Sequence, residues 1–195
     1  MKTRIRGITA REMRSNNMTQ VTDEDIRLVQ LFIDACDMAL ASLETPFDQG
    51  GKKIVYRHAV TWIEEIWAGE LAAHYGVRPL PESCNTACCI AGFAAIKNAP
   101  RVPQAASSRE GWIHNEASLL QRRLGELAEE HYFTDAGSYL TDASSMINNY
   151  WNEGVDSDED TAREIKELLA CGLRELKNVQ EQQEVEQDAT SNNQV

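Results

Sequence analysis

Residues 84–96 read Cys-Asn-Thr-Ala-Cys-Cys-Ile-Ala-Gly-Phe-Ala-Ala-Ile, and no charged side chain occurs until Lys97. A helix made of these residues has no face to turn toward water, so other elements must surround it. Asn85 or Thr86 is placed to cap its free N–H groups, and Pro79 and Pro81 hold the approach extended. The expected helix covers residues 86–97, with Pro100 and Pro103 beyond its end. Small cysteines followed by Ile, Ala, Gly, Phe and Ala describe a packed interior. The competing reading is a thiolate stabilised by the field of the helix N-terminus.

The rest of the chain supplies what would surround that helix. Thr22 with Asp25 three positions on resembles a capping box, and Ile26, Val29, Ile33, Cys36, Leu40 and Leu43 then recur at steps of three and four. Thr45-Pro46 stops this element. A second helix of about 23 residues is expected after the loop at 47–51, with Val55, Ala59, Trp62, Ile63 and Ile66 inward and Gly76 as its C-terminal cap. Further helices are expected over 112–131 and 139–151. A last one starts at Ser157-Asp158-Glu159-Asp160 and carries Ile165, Leu168, Leu169, Leu176 and Val179 at helical spacing. No strand pattern competes with the helical one. The sequence therefore predicts an all-α, single-domain bundle of five or six helices around a buried central cysteine-containing helix.

Charge divides the chain more sharply than composition does. The 195 residues carry a net charge of −12, yet residues 1–18 hold Lys2, Arg4, Arg6, Arg11 and Arg14 against Glu12 alone. The organisation read from this is a flexible basic arm at 1–20, a helical domain at 21–179 and a disordered acidic and polar tail at 180–195. Residues 153–188 contain twelve acids against Arg163, Lys166, Arg174 and Lys177. Such a body repels a phosphate backbone, so direct nucleic-acid contact is left to the arm alone. There is neither a membrane-spanning apolar run nor a secretory leader in the sequence, which predicts a cytoplasmic protein with no membrane partner. Five cysteines in that compartment predict reduced thiols.

The cysteine segment also looks like the C-G-T-x-x-C-[IL]-A-G-x-A motif of small, largely uncharacterised proteins of phages, plasmids and bacterial genomes. Cys84, Thr86, Cys89, Ile90, Ala91, Gly92 and Ala94 match it, while Asn85 stands in place of the usual Gly. Leu124-Gly125-Glu126-Leu127 and then Tyr132-Phe133 are similar to the L-G-L and L-F signals that follow in that group. The resemblance implies a helical fold and an origin in a mobile element, and it implies no activity.

Three chemical constellations compete with simple packing. Cys84 and Cys88 with His58, His74 or His114 have residue types that suit a tetrahedral zinc site. Cys84 with His58 or His74 as base, and the Thr86 and Ala87 N–H groups as an oxyanion cradle, would make a cysteine-dependent enzyme. Asp156, Asp158, Asp160 and Glu167 imitate a calcium loop, but Thr161 occupies the position that needs Gly. None of the three has a complete signature, so no cofactor is expected. The favoured reading is a non-enzymatic acidic protein that binds a basic, nucleic-acid-binding protein surface through Asp158, Glu159, Asp160, Glu164 and Glu167, as an interference or accessory protein of a phage or mobile element. The alternative is a metal-binding module or enzyme centred on Cys84.

Overall fold

The computed structural model describes residues 20–49, 52–57, 62–64, 86–98, 109–148 and 157–192. Helix α1 (Asp23–Glu44) opens with the expected capping box: the Thr22 side chain accepts from the Asp25 N–H, and the Asp25 carboxylate accepts from the Thr22 N–H at 2.8 Å. Its inward face is the stripe Leu28, Val29, Phe32, Ile33, Cys36 and Ala39. Four short strands follow: β1 (Phe47–Gln49), β2 (Lys52–Tyr56), β3 (Trp62–Glu64) and β4 (Thr86–Cys88). Then come helices α2 (Ile90–Asn98), α3 (Arg109–Glu130), α4 (Asp135–Asn148) and α5 (Asp158–Asn192).

These five helices confirm the expected helical bundle. α1 packs on α2, α2 on α3, α3 on α4, α4 on α5, and α5 returns to α1, so the helices close a ring. Every residue of α2 from Ile90 to Ile96 is buried, as its lack of charge requires. Nearly all the inward apolar positions of the other helices, including Leu120, Leu124, Leu140, Ile165, Leu169 and Leu176, join one continuous core. Burial on this scale stabilises by about 25 cal/mol per Å² of apolar surface removed from water.

The sheet is a feature that helical periodicity did not reveal. Its order is β1-β2-β4-β3, with β1/β2 and β3/β4 antiparallel and β2/β4 parallel. Residues 52–56 and 62–64, assigned above to the second helix, are strands, and residues 58–61 and 65–76 of that helix lie outside the described residues. The physical reason is visible at Ile54, Val55 and Tyr56, which are all buried in succession. A strand covered on both faces shows no apolar-polar alternation, and β-branched and aromatic residues fit its pleat better than a helical turn. Ser42 of α1 ties the sheet to the bundle by accepting from the Tyr56 N–H at 2.8 Å while its hydroxyl donates to the Ala39 carbonyl at 2.6 Å.

Boundaries also move: the helices expected at 112–131 and 139–151 span Arg109–Glu130 and Asp135–Asn148. The strand β4 takes Thr86–Cys88, so the cysteine helix begins later than expected, at Ile90. At the other end α5 continues through 180–192, where composition suggested a disordered tail. Two contacts extend its packing past Val179: Gln180 donates to Asp23 at 2.9 Å and the Val21 N–H donates to Gln183 at 3.0 Å. No helix among the described residues is long and apolar enough to cross a membrane.

Candidate partner-binding surface

Helix α5 carries all five acids assigned to partner binding, but packing gives them different tasks. Ser157 caps the helix, accepting from the Asp160 N–H at 3.2 Å and donating its hydroxyl to the Asp160 carboxylate at 2.6 Å. The first of these bonds satisfies one of the N–H groups left free by helix geometry. Asp158 turns inward instead. Its carboxylate accepts from Arg57 Nη1 at 3.2 Å, with the two side chains only 21% and 10% exposed.

Arg57 follows β2 directly, and its backbone N–H donates to the Cys88 carbonyl at 3.1 Å, extending the parallel pairing of β2 with β4. Its guanidinium also donates to the Tyr56 carbonyl at 3.0 Å. A buried guanidinium needs an opposite charge, and Asp158 supplies it at the start of α5. The pair therefore anchors α5 to the sheet rather than presenting a carboxylate to a partner. Nothing in the sequence linked residue 57 to residue 158, because the two are 101 positions apart and meet only after the bundle closes.

Glu159 is exposed but holds Arg163 one turn on, at 2.6 Å. Lys166 reaches across to Asp37 of α1 at 2.6 Å. Glu164 and Glu167 are exposed and make no ion pair among the described residues. Of the five acids, Glu164 and Glu167 are thus the ones that face water without a direct ion pair among the described residues, although Arg163 one turn away acts on Glu167, while Asp160 is shared with the cap. Further along α5, Glu181, Glu184, Glu186 and Asp188 are also exposed, and no base follows Lys177 in the chain.

Three of the four described cysteines behave as interior side chains. Cys36, Cys88 and Cys89 are buried free thiols, and Cys171 is partly exposed. Burial pushes the Cys36 thiol up to about 12, with the neighbouring Asp37 adding to the effect. Burial likewise raises Cys88 well above its ordinary value, with Cys89 adding to it. It raises Cys89 too, although N–H groups at the start of α2 pull in the opposite direction. The helix N-terminus thus acts on Cys89, and desolvation outweighs it.

In the native protein, iodoacetamide at mildly alkaline pH should label Cys171 first and reach Cys36, Cys88 and Cys89 at least about a hundredfold more slowly. Peptide mapping of the alkylated sites reads this directly. Labelling of Cys88 or Cys89 at the Cys171 rate would show that the β4–α2 junction opens to solvent.

Cys84, His58 and His74 lie outside the described residues, as does the side chain of His114. Cys88 is the member of the candidate metal set whose surroundings are described. No group of three or more His, Cys, Asp or Glu side chains among the described residues is arranged to hold a metal ion. The calcium-like spacing resolves into other roles, with Asp158 on Arg57 and Asp160 on the Ser157 cap. Compared with family models, curated proteins and solved structures, the chain matches none.

Proposed function

We propose that this chain is a non-enzymatic, acidic protein-binding protein, an accessory or interference protein of a phage or other mobile element that occupies a basic, nucleic-acid-binding surface of another protein. The observation that carries this reading is α5: a helix of 35 residues whose exposed carboxylates lie along a rigid rod. Asp160, Glu164 and Glu167 follow at steps of four and three, which places them on one side of the helix. Such a row offers an arginine- or lysine-lined groove what a run of phosphates offers it, and it needs shape and charge rather than a reactive group. The resemblance of residues 84–94 to mobile-element proteins supports the biological setting.

The test is binding to a basic protein captured from host extract and then purified. Affinity should fall steeply with salt, duplex DNA should compete, and Glu164→Lys with Glu167→Lys should weaken binding by more than about tenfold. Retained binding in that double variant, together with loss in Cys84→Ser, would replace this reading with the metal or enzyme one.

A further inference from the structure

A groove of about 930 Å³ runs between the start of α4 and the far half of α5, well away from the acids assigned above. Asp135, Glu175, Glu181 and Glu186 line it together with Val179 and Val185, and no basic side chain does among the described residues. Glu175 is engaged by Asn178 at 3.2 Å and lies 3.6 Å from Arg174. Asp135, Glu181 and Glu186 have no ion-pair partner among the described residues. Thr134 also lines it, and the turn that it ends carries Tyr132 and Phe133, 63% and 99% exposed, in edge-to-face contact at 5.3 Å. Val185 in the groove is 69% exposed. Apolar side chains left this open beside unpaired carboxylates call for an occupant that is both basic and aliphatic.

The chain itself contains such a segment. Residues 1–19 carry Lys2, Arg4, Arg6, Arg11 and Arg14 with Ile5 and Ile8 between them, and their only acid is Glu12. The described chain starts at the same stretch of α5, since the Val21 N–H donates to Gln183, which stands about 100° around the helix from the groove residue Gln182. An arm of this length reaches up to about 60 Å, whereas the groove from residue 175 to residue 186 covers only about 17 Å of helix. A tether this short keeps the arm at roughly millimolar effective concentration, which populates even a weak contact.

We propose that residues 1–19 dock in cis in this groove, with their arginines on Asp135, Glu181 and Glu186 and their isoleucines against Phe133 and Val185. The arm then covers the acidic far half of α5 from within the same molecule. This holds whether or not the exposed acids near the start of α5 bind a partner.

Trypsin cleavage at Arg4, Arg6, Arg11 and Arg14 of the full-length protein, followed by mass spectrometry of the released peptides, tests it. In low salt these sites should be cut at least about tenfold more slowly than in high salt, and at a rate independent of protein concentration. The Glu181→Gln, Glu186→Gln double variant and Phe133→Ala, all at exposed positions, should each remove most of that protection. Equal cleavage in low and high salt overturns the proposal without requiring any variant to fold. Protection that disappears on dilution overturns it in favour of a second copy of the chain, and protection unchanged in both variants places the arm elsewhere.

Discussion

Phe93→Asp should leave the chain unfolded at room temperature, with the far-ultraviolet helical signal lost, while Cys171→Ser melts within a degree or two of the wild type. Phe93 is fully buried at the middle of α2, which is itself enclosed from Ile90 to Ile96. An aspartate there either leaves a charge in an apolar interior or binds a proton at a cost, and both add to the loss of the aromatic ring. The penalty is several kcal/mol, set against the roughly 5–15 kcal/mol that holds an ordinary domain together. Cys171 is partly exposed on α5, where replacing sulfur by oxygen changes stability by less than about 0.5 kcal/mol. Wild-type melting of Phe93→Asp would show that the interior around α2 accommodates a charge.

Gly137→Ala should destabilise by about 2–3 kcal/mol, lowering the midpoint of thermal unfolding by about 5–10 °C, whereas Gly125→Ala should be neutral or raise it. The two substitutions are chemically identical and both fall in helices, so helix propensity alone predicts a gain of up to about 1 kcal/mol for each. Their surroundings differ. A methyl group on Gly137 would run into the His131 carbonyl oxygen and carbon and lie 2.7 Å from the Tyr132 nitrogen, all backbone atoms that cannot swing aside. At Gly125 the nearest atom is the Ser144 hydroxyl at 3.7 Å, an ordinary contact.

The turn that Gly137 permits is built from local hydrogen bonds. Thr134 donates its hydroxyl to the His131 carbonyl at 2.7 Å and accepts from the Gly137 N–H at 3.1 Å. His131 is 3% exposed, and burial lowers its pKa below the usual 6.5 although Asp25 and Glu130 oppose the shift. Burial thus favours its neutral form. Calorimetry of the two glycine variants checks the contrast, and equal melting temperatures would mean that the α3–α4 turn yields without cost.

Helix α1 was legible residue by residue, because a capping box, a 3.6-residue stripe and a Thr-Pro stop are all local signals. The buried character of α2 was equally plain, since thirteen residues without a charge have no stable place at a surface. The sheet was harder to see. Gln49 pairs with Lys52 across Gly50-Gly51, a two-residue spacing that suits a tight hairpin, but the succession Ile54-Val55-Tyr56 hid the strand inside what also reads as an apolar helix face. The extent of α5 was missed for a different reason. Residues 180–192 have almost nothing to bury, and tertiary contacts from Val21 and Asp23 to Gln183 and Gln180 extend the helix beyond what composition alone would sustain.

By itself the sequence determined the helical class, the capping of α1 and the buried cysteine helix, and it shows basic residues gathered at 1–18 and acids in the remainder. Periodicity and charge act over a few residues and survive without knowledge of neighbours. Only the tertiary structure decided that Asp158 belongs to Arg57, that Glu159 is occupied by Arg163, and that Glu164 and Glu167 are left facing water. It also decided the chemistry of the thiols, because the same helix start that could stabilise a thiolate raises its pKa once surrounding elements exclude water. A side chain's charge is written in the chain, but its solvation and its partner are set by residues that folding brings from a hundred positions away.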